Sequence, residues 1–130
     1  SATVDDLFFN YVFPQENGNR TDTRWGALAD AYGRGMLVSA ARPFDFSAHR
    51  YDVMDLTRAD HTADLVPREW ISLNLDLAQT GLGSNSCGPR AWPEYELKPQ
   101  PFAFDIRLRP IRLERDNPMK TARLMVAGDR

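Results

Sequence analysis

Residues 69–83 read EWISLNLDLAQTGLG, and from Ile71 to Leu77 apolar and polar side chains alternate. Trp70, Ser72, Asn74 and Asp76 fall on one side of an extended chain; Ile71, Leu73, Leu75 and Leu77 fall on the other. A period of two is that of a β-strand with one buried face. Gly81 and Gly83 end it. Downstream, FAFDIRLRPIRLE alternates again through Phe102, Phe104, Ile106, Leu108 and then Ile111, with Arg107 and Arg109 expected to face out. Upstream, PFDFSAHRY alternates through Phe44, Asp45, Phe46 and Ser47. GMLVSA at Gly35–Ala40 is a buried-strand candidate bounded by Gly and Pro, and Trp25–Ala29 is apolar. Between these last two, YGRG marks a turn, so a hairpin is expected around Asp30–Gly33.

Helical signals are few. Ser47 or Asp52 is placed to cap a short helix carrying Val53, Leu56 and Thr57 and ending near Asp60. Residues Asp116–Arg130 contain a short apolar run at Leu124–Ala127, expected to form an edge strand or to fray. Nine prolines and eight glycines keep the pieces short. The expected class is therefore mostly β: an antiparallel β-sandwich with one short helix, in one domain over 1–130. No repeat, low-complexity tract or linker divides it.

The totals exclude several partners. The chain has 130 residues, 42% hydrophobic and 26% charged, with a net charge of −2. Nucleic acid and membrane surfaces attract a basic excess, which is absent, so neither is an expected partner. No apolar run approaches the roughly 20 residues that span a bilayer, and the first residues lack the basic start of a secretory signal. Cys87 is the one cysteine, so no internal disulfide forms and a reducing, cytoplasmic setting is expected. The chain begins with Ser1, not Met, which is expected of a processed protein or a piece of a longer one.

The candidate chemistry is thin. His49 and His61 have no cysteine or third ligand near them, so they do not make a zinc site. Cys87 as a nucleophile would need a base and a depressed pKa; a structural loop thiol is the expectation. GLGSNSCG lacks the third glycine of a dinucleotide site and the lysine of a phosphate loop. Glycosidases use two carboxyl groups about 5–9 Å apart, but no pair among the acidic residues is marked by its context. Trp25, Trp70, Trp92 and Tyr95 are of the type that stacks on sugars, although tryptophans are expected first in the core.

Four segments in this order and spacing carry a resemblance: YVFPQENGNRTDTRW, FDFSAHRYDVMDL, WISLNLDLAQTGLGSNSCGP and PEYELKPQPFAFDIRLRP. Together, from about Tyr11 to Pro110, they closely resemble the C-terminal domain of glycoside hydrolase family 2 β-galactosidases, the β-galactosidase small chain. The resemblance implies a galactose-mutarotase-like β-sandwich, of which this chain is the C-terminal part, with residues 111–130 as a tail past the usual end. It implies a parent enzyme that hydrolyses terminal β-galactosides such as lactose with retention, using two glutamates on a separate (β/α)₈ barrel. No catalytic residue is therefore assigned here. No cofactor is expected in this chain, while Mg²⁺ or Na⁺ would belong to the parent's catalytic domain. The implied partners are the remaining parent domains, the galactoside substrate and further copies in a homo-oligomer.

One loop carries over residue by residue. In the family, a tryptophan follows a serine at the mouth of the galactoside pocket. Here Asn85 and Ser86 precede Cys87, and the tryptophan is missing. Asn85, Ser86 and Cys87 are thus the substrate-binding residues the resemblance implies, with weaker stacking in the outer subsite because a thiol offers far less area than an indole. The block QENGNRTDTR is expected to be structural: Gly18 suits a positive φ, and Glu16, Asn17 and Arg24 would satisfy loop backbone groups. The sharper alternative gives Glu16 or Asn17 a sugar-binding role, as in an independent carbohydrate-binding or mutarotase-like module.

Overall fold

A computed structural model describes residues 2–80 and 88–127. The elements follow the order α1 (Val4–Leu7), β1 (Arg20–Ala29), β2 (Arg34–His49), α2 (Val53–Arg58), β3 (Ser72–Asp76), β4 (Ile106–Arg112) and α3 (Pro118–Ala127), with single 3₁₀ turns at Thr62–Asp64 and Pro93–Tyr95. The strands join in the order β1-β2-β3, and β4 also pairs with β2. The mostly-β class read from the alternation holds. The expectation of one short helix does not: three α-helices occur among the described residues.

The chain forms two compact units, one of residues 1–21 and 45–75, the other of residues 22–44 and 76–130. β2 is shared in sequence between them. In the second unit, β1 and β2 form the expected hairpin. Asp30 closes its turn: its Oδ1 accepts from the Tyr32 and Arg34 N–H groups, each at 2.9 Å. The strands approach so closely at Gly35 that a Cβ there would sit 1.9 Å from the Leu28 carbonyl oxygen. β4 runs antiparallel to β2, with Gly35 opposite Ile111, Leu37 opposite Arg109 and Ala40 opposite Ile106.

Leu37, Ile111 and Ala122 form the core of this unit, with Trp25, Ala27 and Met125 packed against them. α3 therefore covers the sheet through Ala122 and Met125. Here the sequence expectation is corrected, because Leu124–Ala127 lies in a helix and forms no edge strand. Pro118 occupies the first helical position, where its missing N–H costs nothing, and the Asn117 carboxamide oxygen accepts from the Lys120 N–H at 3.1 Å. The anticipated strand over Phe102–Glu114 is also shorter: only Ile106–Arg112 is extended and paired. Phe104 instead packs its ring 6.4 Å from that of Phe44.

Gly35–Ala40 and Pro43–Tyr51, two candidates in the sequence, merge into the single strand β2, which ends at His49, before Arg50 and Tyr51. Pro43 lies past the stretch paired with β4, which ends at Ala40, so its absent N–H removes no bond to that strand. In the first unit the buried residues of β2 are Phe46, Ser47, Ala48 and His49, joined by Leu56 and Ala59 near α2. Of the two proposed caps, Asp52 begins α2: its Oδ1 accepts the Asp55 N–H at 2.7 Å, and Asp55 Oδ2 accepts the Asp52 N–H at 3.1 Å. Each satisfies a backbone donor the other end leaves open.

Candidate functional site

A cleft of about 260 Å³ opens in the first unit. Three segments far apart in sequence wall it: Pro14–Glu16, the end of β2 running into α2, and β3. Each is fixed from behind. Asn17 is buried, and its carboxamide accepts from the Phe9 N–H at 2.8 Å while donating to the Gln15 carbonyl at 3.0 Å. Gly18 follows with φ +69°, where a Cβ would meet the Leu7 carbonyl oxygen at 2.6 Å and His49 Cε1 at 3.0 Å. No L-side chain fits that backbone without displacement.

His49 joins the walls. Its Nε2 lies 2.7 Å from the Asn17 carbonyl oxygen. A carbonyl only accepts, so Nε2 carries the proton. Nδ1 is buried and has no hydrogen-bond partner among the described residues. Phe8 packs edge-on to the same ring, with centroids 6.0 Å apart, and against Tyr51 at 5.2 Å. On β3, Asn74 donates from Nδ2 to Ser47 Oγ at 3.1 Å. Its carbonyl oxygen takes no part in that bond.

The lining mixes apolar and polar groups. Leu56, Val53 and Pro14 supply apolar atoms, and Gln15, Glu16, Tyr51, Ser72 and Asn74 bring hydrogen-bonding groups. The side chains of Gln15, Glu16, Tyr51 and Ser72 have no hydrogen bond or ion pair among the described residues. Asp52 also lines the cleft but is committed to its helix cap. No group of three or more His, Cys, Asp and Glu residues among the described residues is arranged to hold a metal ion.

Next to the cleft, Asp55 is locked by Arg68, whose Nε and Nη2 reach the two carboxylate oxygens at 2.9 and 2.6 Å. This fork-to-fork geometry is the strong form of a carboxylate pair. Arg68, with help from the Asp52 N–H, lowers the Asp55 pKa to about 2. The Arg68 guanidinium also lies 5.8 Å from the Trp70 ring centre. Asp6 and Asp30 are likewise more acidic than usual, Asp6 through hydrogen bonds from Thr3 and Asp30 through those from the Arg34 and Tyr32 backbone and the Arg34 side chain.

The residues singled out in the sequence fare differently. Asn85, Ser86 and Cys87 lie outside the described residues. Asn17 is structural, as its buried bonds require. Glu16 is exposed and bonds to no loop backbone, so its expected structural role is not realised; it stands at the cleft. His61 is solvent-facing, with Nδ1 3.8 Å from Asp64. Trp25 packs on a core as expected, but Trp70 and Trp92 are exposed, against the expectation that the tryptophans are interior. Tyr51, Ser72 and Gln15 were not picked out. The alternation of residues 69–83 does put Ser72 and Asn74 on one side, which was the available signal. No helix among the described residues is long and apolar enough to cross a membrane.

Comparison with known proteins places the chain in a family. The model described as "Beta galactosidase small chain" matches residues 1–108. The β-galactosidase of Arthrobacter sp. (strain B7) is 32% identical over 113 residues, covering 83% of this chain and 11% of that protein. That of Kluyveromyces lactis is 36% identical over 101 residues, or 77% of this chain and 10% of the relative. That of Vibrio cholerae is 36% identical over 110 residues, or 84% and 10%. The chain spans about a tenth of the length of the curated relatives it matches.

Proposed function

The chain belongs to the β-galactosidase small chain family, and from that premise we propose that it serves as a non-catalytic β-domain of a larger retaining β-galactosidase. In this reading the bond is cleaved by carboxyl groups elsewhere in the enzyme, on terminal β-D-galactosides such as lactose. This domain supports the assembly and brings the loop bearing Asn85, Ser86 and Cys87 to the mouth of the active site. The remaining parent domains are its partners, and the holoenzyme is a cytoplasmic homo-oligomer. Any Mg²⁺ or Na⁺ acts in the catalytic domain. The sheet is the C-terminal portion of a mutarotase-like sandwich.

The observation that carries this proposal is the match over residues 1–108 combined with relatives of whose length the matched stretch is about a tenth. Electrostatics support it. A glycosidase acid must hold its proton near neutral pH, which requires a raised pKa. Asp6, Asp30 and Asp55 are shifted the opposite way, and their oxygens are spent on a cap, a turn and an ion pair. Their oxygens serve local structure.

Reconstitution tests the proposal. A β-galactosidase polypeptide lacking this region, mixed with the 130-residue chain, is expected to regain hydrolysis of o-nitrophenyl β-D-galactoside, while neither part alone turns it over. Turnover by this chain alone, or no recovery in the mixture, would overturn it.

A further inference from the structure

We propose that Asn17 and Gly18 form a latent self-modification site, where the chain deamidates itself when residues 7–18 open and which the closed fold holds inert. Of the six asparagines, Asn17 alone precedes a glycine. Glycine has no side chain to shield its main-chain nitrogen, and that nitrogen is the nucleophile. The Gly18 nitrogen gives up its proton and attacks Asn17 Cγ. The N–Cγ bond forms and the Cγ–Nδ2 bond breaks; Nδ2 takes up the proton and leaves as ammonia. The product is a cyclic imide. Water opens it at either carbonyl, giving aspartate or its β-linked isomer, isoaspartate. Solvent water is the one co-reactant.

The fold opposes the movement this needs. Asn17 Cγ must swing onto the Gly18 nitrogen, but its carboxamide is held at both ends. Oδ1 accepts from the Phe9 N–H at 2.8 Å, and Nδ2 donates to the Gln15 carbonyl at 3.0 Å. The peptide joining the two residues must turn as well, and its carbonyl oxygen lies 2.7 Å from Nε2 of the buried His49. Gly18 has little room to follow, because the Leu7 carbonyl oxygen stands 2.6 Å from where a Cβ would be. Asn17 is itself 8% exposed, so water reaches it poorly. Residues 7–9 supply some of these ties and β2 the other, and ring closure waits for them to open. The native rate is then the open-chain rate multiplied by the open fraction.

The conversion runs one way. A carboxylate at position 17 still accepts from the Phe9 N–H but has no hydrogen for the Gln15 carbonyl. Two acceptors then face each other, one of them charged and buried, which costs more than the bond that was lost. Isoaspartate also lengthens the main chain by one carbon just before Gly18, where the packing is tight. Either product releases the Gln15 carbonyl, and with it the anchor of one cleft wall. A chain that has stayed open is marked permanently at a single residue.

Peptide mapping by mass spectrometry tests this on the 130-residue chain, kept in mildly alkaline buffer with and without urea. In urea, Asn17 is expected to convert before any other asparagine, to a mixture of isoaspartate and aspartate. Without urea, conversion is expected to be slower by at least about tenfold. Gly18→Ala is compared in urea, where its effect on the fold plays no part, and is expected to convert several times more slowly. Asn17→Asp reproduces one product and is expected to unfold at lower urea than the parental chain. Equal rates with and without urea, another asparagine converting first in urea, an undiminished rate in Gly18→Ala, or an unshifted midpoint in Asn17→Asp would each overturn the site. None of these readouts involves galactoside hydrolysis, so the reconstitution experiment stands or falls separately.

Discussion

Replacing Gly18 by alanine would add a methyl group 2.6 Å from the Leu7 carbonyl oxygen, at a φ of +69°. Backbone cannot yield as a side-chain tip can, so strain and clash add. A loss of about 2 kcal/mol or more is expected, read as a lower urea midpoint with an unchanged slope; an unshifted midpoint would refute it. Asp55 gives a prediction with a sign. Arg68 lowers its folded pKa to about 2, below the ~3.9 of an unfolded aspartate. As pH falls, the unfolded chain takes up the proton first. The stabilisation is therefore complete above pH ~4 and is lost on acidification through about 2. Wild type should melt higher than Asp55→Asn at pH 7, and the gap should close near pH 2; a constant gap rules out the ion pair as its source. Cys87 is tested through the parent enzyme. Under the proposed function, Cys87→Trp adds stacking area and is expected to lower KM for lactose, and an unchanged KM would remove the case for this position.

At the scale of elements, α3 and β4 close one core. Ile111 is 3% exposed and packs with Leu37 and Ala122. Truncating it to alanine should cost about 3 kcal/mol. Leu124 lies on the same helix but is 71% exposed, so Leu124→Ala should stay within about 0.5 kcal/mol. Equal losses in the two variants would mean that the helix does not pack as described. What the sequence revealed and concealed follows from range. The hairpin at Asp30–Gly33 and the α2 cap at Asp52 were legible because each is decided within five residues, by turn and capping chemistry. The helix α3 was legible in principle through Asn117 and Pro118, but the run Leu124–Ala127 fits strand and helix alike when read alone. Phe102–Phe104 alternate like a strand yet have no pairing partner among the described residues, and periodicity carries no information about pairing. The cleft required three distant segments to meet; Glu16 was visible beforehand through its setting in a dense polar block, and His49 and Asp52 only in other roles.

For the molecule as a whole, the surface remains apolar in places where a soluble domain usually is not. Phe9, Val12 and Phe13 are exposed within five consecutive residues, and Val12 is 86% accessible. Side chains of this kind standing singly are unremarkable, but clustered ones mark surfaces that meet another protein. In a longer polypeptide the remaining domains would cover them. In the 130-residue chain the nearest substitute is a second copy, and identical patches close most readily as a two-fold dimer. Sedimentation equilibrium should show dimers forming with rising concentration, unaffected by salt because the contact is apolar. Val12→Asp combined with Phe13→Asp places charge in that contact without touching either core and should return the chain to a monomer. A monomer at every concentration, or a dimer that salt dissociates, would locate the driving force elsewhere. A dimer indifferent to both substitutions would exonerate residues 9–13 and turn attention to Leu108 and Met36, which are exposed on neighbouring strands of the sheet.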